Sequence, residues 1–170
     1  MHLSTLCYLE QGETYLMMYR NKKTNDNNQG KWIGIGGKFQ EGETPEECML
    51  REVKEETGYT LTRYFYRGLV TFVQDGQETE YMHLFTADRW KGTPIECTEG
   101  TLAWVNKKDV FQLNLWEGDR IFFRLLEERQ NYFSLKLRYM GEKLTEAICY
   151  PTQEEILDQK DCSVVSDFRE

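Results

Sequence analysis

Glu52, Glu55 and Glu56 stand at i, i+3 and i+4 of a segment with helical character, which on a helix gathers three carboxylates within an arc of roughly 100 degrees. Like charges so placed repel one another. An ordinary solvated acidic face interleaves lysines with its glutamates. Here Met49, Leu50 and Val53 form the neighbouring apolar stripe, so the acidic edge borders the core. A divalent cation removes the conflict: hard oxygen ligands from a few carboxylates, completed by waters and substrate phosphates, describe a magnesium or manganese site.

The segment just before the helix strengthens that expectation. Gly34-Ile35-Gly36-Gly37-Lys38 allows the backbone to approach a ligand closely, and Lys38 adds a cation beside it. A plain turn from strand to helix would explain the glycines but not their pairing with a lysine and an acidic helix. The helix has its own boundary signals. Thr44 caps it, Pro45 suits its first position and Glu47 completes a capping box. Gly58 supplies the left-handed residue that ends it. Pro45 to Thr57 therefore reads as one helix of about three and a half turns.

The elements that must position this helix alternate along the chain. Leu3 to Leu9 and Thr14 to Arg20 read as strands around the Gln11-Gly12 turn, followed by a polar loop from Asn21 to Gly30 expected on the surface. Leu61 to Val73 reads as a long strand with a break near Gly68, and Asp75-Gly76 is a hairpin signal before a strand from Glu78 to Ala87. Leu102 to Val105 is a short strand. Asp119 to Glu128 reads as a second amphipathic helix, through Ile121, Phe122, Leu125 and Leu126. Tyr132 to Met140 and Lys143 to Tyr150 form a hairpin around Gly141-Glu142. Residues 1–150 are expected to form one domain, and 151–170 a partly mobile C-terminal extension.

Composition narrows the function classes. A chain of 170 residues fits a single domain with a sizeable core. Net charge −8 and a pI near 5.0 argue against a protein that coats nucleic acid, whereas phosphates remain accessible through metal. Five cysteines without C-x-x-C pairs suggest neither a disulfide framework nor a zinc site. No apolar run reaches membrane-spanning length, and the acidic first twenty residues carry no secretory signal. A cytoplasmic enzyme is expected.

From Gly37 the chain fits the pattern G-x5-E-x7-R-E-U-x-E-E-x-G-U, with U a bulky apolar or aromatic residue. Gly37, Glu43, Arg51, Glu52, Glu55, Glu56 and Gly58 fill the fixed positions, and Val53 and Tyr59 the bulky ones. This is the Nudix box, and the chain resembles a Nudix hydrolase. The resemblance implies the family's α/β/α sandwich around a mixed sheet, where periodicity alone gives only α plus β. It also implies that the Gly36 carbonyl with Glu52, Glu55 and Glu56 would hold Mg2+ or Mn2+, and that Glu99 matches an extra glutamate brought to the metal or the attacking water. One of Glu52, Glu55, Glu56 or Glu99 would then act as base. Glu43 would pair with Arg51 and, with Gly37 and Gly58, play a structural part.

Outside the box, Lys31-Trp32, Gly92-Thr93-Pro94, Trp104 and Leu115-Trp116-Glu117-Gly118-Asp119 resemble the MutT-related members of the family that remove oxidised purine nucleoside triphosphates such as 8-oxo-dGTP. That likeness, over roughly residues 3–144, implies nucleotide-pool sanitation in the service of DNA repair, with Trp116, Asp119 and Phe72 at the purine. Arg20, Lys38 and Lys23 are candidates to meet phosphates, and His83 reads as structural. Two departures stand out. Vertebrate members have asparagine after the tryptophan where this chain has Ile33, and two aspartates where it has Gly118-Asp119. Base discrimination is therefore expected to be looser or differently built. Another nucleoside diphosphate derivative, an RNA 5′ end, or a non-catalytic nucleotide sensor are the alternatives. The expected partner is a small nucleotide, without membrane or stable nucleic-acid association.

Overall fold

The elements of the computed structural model, which describes residues 1–128 and 132–150, follow the expected order with two additions. They are β1 (His2–Gln11), β2 (Thr14–Tyr19), β3 (Trp32–Ile33), α1 (Pro45–Thr57), β4 (Thr60–Gln74), β5 (Glu80–Lys91), β6 (Thr101–Asn106), a 3-10 turn at Val110–Gln112, α2 (Asp119–Glu128), β7 (Phe133–Met140) and β8 (Lys143–Tyr150). The additions are β3 and the 3-10 turn, both too short for periodicity to show. Several strands also run a few residues longer than their apolar runs, because backbone pairing continues past the alternating side chains. The expectation of a mobile tail at 151–170 lies outside the described residues.

The strands form one mixed sheet in the order β3-β2-β1-β5-β4-β7-β8, with β6 pairing β2 off that path. Two pairings, β1 with β5 and β4 with β7, are parallel, and the rest are antiparallel. The expected break in the long strand is present: the β4–β5 register shifts between Tyr66 and Gly68.

Side-chain alternation divides the core into two layers. Tyr8, Tyr15, Met17, Val70, Leu84, Leu135 and Leu137 pack with Ile121, Phe122, Phe123, Leu125 and Leu126 of α2. Cys7, Leu9, Leu16, Met18, Phe85 and Ala87 pack with Met49 and Val53 of α1. A helix thus covers each face of the sheet, which is the expected α/β/α sandwich. Among the described residues no helix is long and apolar enough to cross a membrane. Cys7, Cys48, Cys97 and Cys149 are buried free thiols.

The boundaries of α1 are those its sequence signals specify. The Thr44 hydroxyl accepts from Glu47 N–H at 3.2 Å and the Glu47 carboxylate accepts from Thr44 N–H at 2.8 Å. At the other end Gly58 is left-handed, with φ 81°, and its N–H returns to the Lys54 carbonyl.

Candidate active site

The segment entering α1 is fastened to the stretch of β1 that its short pairing with β2 leaves open. Thr5 N–H donates to the Gly37 carbonyl at 2.9 Å, and Cys7 and Ile35 exchange backbone hydrogen bonds at 2.7 and 2.9 Å. Gly36 must be glycine for a reason of space, since a Cβ there would overlap the Thr5 carbonyl, and a Cβ at Gly37 would meet the Glu52 carboxyl carbon at 2.5 Å. The glycine-rich turn thereby brings backbone against the acidic edge of the helix.

Arg51 organises the outer part of that edge. Its Nε and one terminal nitrogen hold Glu43 at 2.6 and 2.9 Å, the two-point geometry of a guanidinium on a carboxylate. The pair holds the Glu43 carboxyl down at about 2, through the Arg51 hydrogen bonds first and the Gln40 N–H next. The same guanidinium reaches Glu52 at 2.5 Å, Glu55 at 3.3 Å and the Lys38 carbonyl at 3.2 Å. It ties the turn, the Glu43 loop and the helix together.

Glu56 is the exception on this helix. Its side chain is buried, only 5% exposed, and accepts from Gly36 N–H at 3.2 Å. Burial pushes its carboxyl up to about 9, and the nearby charges of Glu99 and Glu52 add to the rise. Glu99 is held from the opposite side by Arg20 at 2.5 Å and by the Lys23 ammonium. Among the described residues no three acidic, histidine or cysteine side chains converge into a closed metal cage, and Arg51 engages both Glu52 and Glu55. The donor set nevertheless fits a hard cation. A buried carboxyl short of positive charge, with further carboxylates near enough to raise its proton affinity, is the environment such an ion relieves. Glu52, Glu56 and Glu99 bear that coupling directly, whereas Glu55 is mostly exposed on the Arg51 side.

These groups open onto a cavity of about 540 Å³ lined at one end by Gly36, Gly37, Lys38, Glu52, Arg20 and Glu99. Its other end is lined by Ile33, Phe72, Trp116 and Asp119. Every residue expected to bind substrate lies on its wall, as do Gly36, Gly37, Glu52 and Glu99, whereas Glu43, Arg51, Glu55, Glu56 and Gly58 do not. Arg20 and Lys23 are both engaged by acids, Arg20 with Asp26 at 2.6 Å as well as with Glu99. His83 lies away from the cavity, half-buried between Phe39 and Tyr66, with Nδ1 2.9 Å from the Tyr66 hydroxyl.

At the apolar end the Phe72 and Trp116 rings meet edge to face at 5.4 Å, and Tyr139 stacks on Phe72 at 4.8 Å. The Lys31 ammonium lies 4.7 Å from the centre of the Trp116 ring. Asp119 opens α2 and is buried. Burial pushes its carboxyl up to about 8, against the opposing pull of Arg120 and Lys31. At neutral pH it keeps its proton and can donate as well as accept a hydrogen bond. Gly118 has a steric cause here. Its N–H donates to the Tyr139 hydroxyl at 2.7 Å, and a Cβ at Gly118 would lie 2.6 Å from that oxygen and 2.5 Å from Leu137 Cδ1. Tyr139 and Leu137 fill the space that a second carboxylate would need.

The loop from Asn21 to Gly30 lies at the surface as expected, with two residues turned inward. Asp26 and Asn28 are half-buried and line the cavity. Asp26 binds Arg20, and Asn28 accepts from Trp116 Nε1 at 2.8 Å. A run of polar residues gives no signal of this, because their partners lie 6 and 88 residues away.

Comparison with known proteins agrees with this geometry. A family model described as the NUDIX domain matches residues 1–126. The chain is 36% identical over 105 residues to an oxidized purine nucleoside triphosphate hydrolase of Danio rerio, covering 61% of this chain and 67% of the relative. A protein of the same description from Mus musculus is 36% identical over 104 residues, with 61% and 67% covered. Among solved structures, a mutator MutT protein from Bacillus halodurans superposes with a TM-score of 0.78 at 24% identity, covering 89% of this chain and 99% of that one.

Proposed function

The chain belongs to the Nudix family, and as a hydrolase of that family we propose that it cleaves oxidised purine nucleoside triphosphates, such as 8-oxo-dGTP, to the monophosphate and pyrophosphate. One observation carries this reading: a single cavity joins the box residues at one end to an aromatic, base-sized wall of Phe72 and Trp116 at the other. The names of the two curated relatives support the same substrate class.

The roles follow from the geometry. Lys38, exposed at the rim, meets the phosphates, while Phe72, Trp116 and Asp119 receive the purine. Arg51 and Glu43 keep the glycine turn in register with α1, acting on position and not on bonds. Glu52, Glu55 and Glu56, with the Gly36 carbonyl, would hold Mg2+ or Mn2+; when bound, such an ion acidifies water and neutralises the charge of the phosphates. A carboxylate among Glu52, Glu55, Glu56 and Glu99 accepts the proton of the water that attacks phosphorus. As the new P–O bond forms, the bond to the bridging oxygen breaks and pyrophosphate departs. The proposed setting is the cytoplasmic nucleotide pool.

The test is a screen of pyrophosphate release with magnesium across 8-oxo-dGTP, dGTP, ADP-ribose, dinucleoside polyphosphates and triphosphorylated RNA. Highest kcat/KM on oxidised purine triphosphates supports the reading. Preference for ADP-ribose or RNA ends, or undiminished turnover in EDTA, overturns it.

A further inference from the structure

Asn28 lies in the loop between β2 and β3 and lines the same cavity as Ile33, Phe72 and Trp116, in direct contact with Trp116. Its amide orientation is decided by chemistry. Trp116 Nε1 is a donor only, so the atom facing it at 2.8 Å must be the Asn28 oxygen. The other end of the amide, Nδ2 with its two N–H groups, has no hydrogen-bond partner among the described residues.

The backbone beneath this amide is fixed as well. Asn28 N–H donates to Asp26 Oδ1 at 3.0 Å, while the other Asp26 oxygen accepts from Arg20 Nε at 2.6 Å. Arg20 in turn holds Glu99 at 2.5 Å, and Lys31 N–H donates to the Asn28 carbonyl at 2.9 Å. The side chain is thus held at its oxygen and its backbone at both N–H and carbonyl. A pre-oriented donor beside an aromatic wall is an arrangement for reading the edge of a flat ring.

We propose that Asn28 reads the base: Nδ2 donates to a carbonyl oxygen on the purine edge, so the site selects 6-oxopurine nucleotides over 6-aminopurine ones. The inference rests on the nucleotide reading of the cavity and names which nucleotides it takes. A 6-amino group would set N–H against N–H and leave both unpaired, a penalty that a purely apolar pocket does not impose. It also accounts for Ile33, because the amide absent from β3 is supplied from the neighbouring loop.

The test is calorimetric affinity for inosine and adenosine 5′-monophosphates in EDTA, for the wild type and Asn28→Asp. An aspartate still accepts from Trp116 Nε1 and keeps the anchor, but turns the donor into an acceptor. Its added negative charge weakens both ligands alike and cancels in their ratio. The wild type should bind the inosine nucleotide about tenfold more tightly, with the preference lost or inverted in Asn28→Asp. Asn28→Ser, which lacks the amide, should bring the ratio to near unity and serves if Asn28→Asp does not fold. Equal wild-type affinities, no binding of either nucleotide, or a ratio unchanged in the variants overturns the proposal. Selective inosine binding by a protein that hydrolyses no purine triphosphate would remove the diphosphatase reading and leave the assignment of Asn28 standing.

Discussion

At the box end of the cavity, Gly36, Gly37, Lys38 and Glu52 of the wall and Glu43, Arg51 and Glu56 beside it come from one continuous segment, residues 36–56, to which Arg20 and Glu99 are added from elsewhere. At the base end, Asn28, Ile33, Phe72, Trp116 and Asp119 come from two loops, a short strand, the long β4 and the start of α2. The first end is fixed by one helix, its caps and one arginine. The second exists only when β2, β3, β4 and the 115–119 turn have packed. Local construction suits a carboxylate cluster, because helical spacing puts its side chains on one edge. Assembled construction suits specificity, because single residues can change without unmaking the helix. On the proposed function the two ends would divide the labour: bond-breaking at one, base recognition at the other.

The largest effect expected from this division is at Glu56. Glu56→Gln keeps the shape and the Gly36 contact but removes the carboxylate, and kcat should fall by roughly a thousandfold or more, with thermal stability unchanged or raised. With its carboxyl pushed up to about 9, Glu56 is held protonated in the folded state at neutral pH, so a neutral amide of the same shape gives no reason for stability to fall. Steady-state kinetics beside a melting curve checks both parts. Full activity of the variant would place the chemistry elsewhere.

Next in size is Trp116. Stacking against the base is present in the ground state and the transition state alike, so Trp116→Ala should raise KM by about tenfold to a hundredfold and leave kcat within about threefold. A loss confined to kcat would erase the distinction between the two ends.

Asp119 gives a pH signature that the box end does not share. Its carboxyl titrates near 3.8 when unfolded and is pushed up to about 8 when folded. Between those values the folded state holds a proton that the unfolded state has released, so stability falls as pH rises through that window. Asp119→Asn cannot titrate. Its melting temperature relative to the wild type should climb by several degrees from pH 4 to pH 8. A difference independent of pH would mean that the carboxyl is ionised and paired.

The smallest effect is expected at Ile33. With Asn28 already presenting an amide, Ile33→Asn should change the ratio of kcat/KM for 8-oxo-dGTP over dGTP by less than about threefold. A large rise would show that the pocket lacked a polar reader and would weaken the case for Asn28.

The same contrast explains what could be read in the sequence. The limits of α1 and α2 were legible because caps and 3.6-residue periodicity are local signals, and the Glu43–Arg51 partnership because its spacing is part of the motif. The long-range contacts were not legible. Nothing in Asn21–Gly30 announces that Asp26 would hold Arg20 or that Asn28 would meet Trp116. Nor does Gly118 reveal that Tyr139 fills the space beside it. The contacts of Glu52 and Glu55 with Arg51 likewise depend on rotamers, which spacing does not encode.

The most direct measurement of the division of labour is calorimetric binding of 8-oxo-dGTP, with magnesium, to Glu56→Gln and to Glu56→Gln/Trp116→Ala. The single variant should bind nucleotide without turning it over, and the double variant should bind at least about tenfold more weakly. Equal affinities of the two would contradict the account, since the aromatic end would then contribute nothing to holding the base.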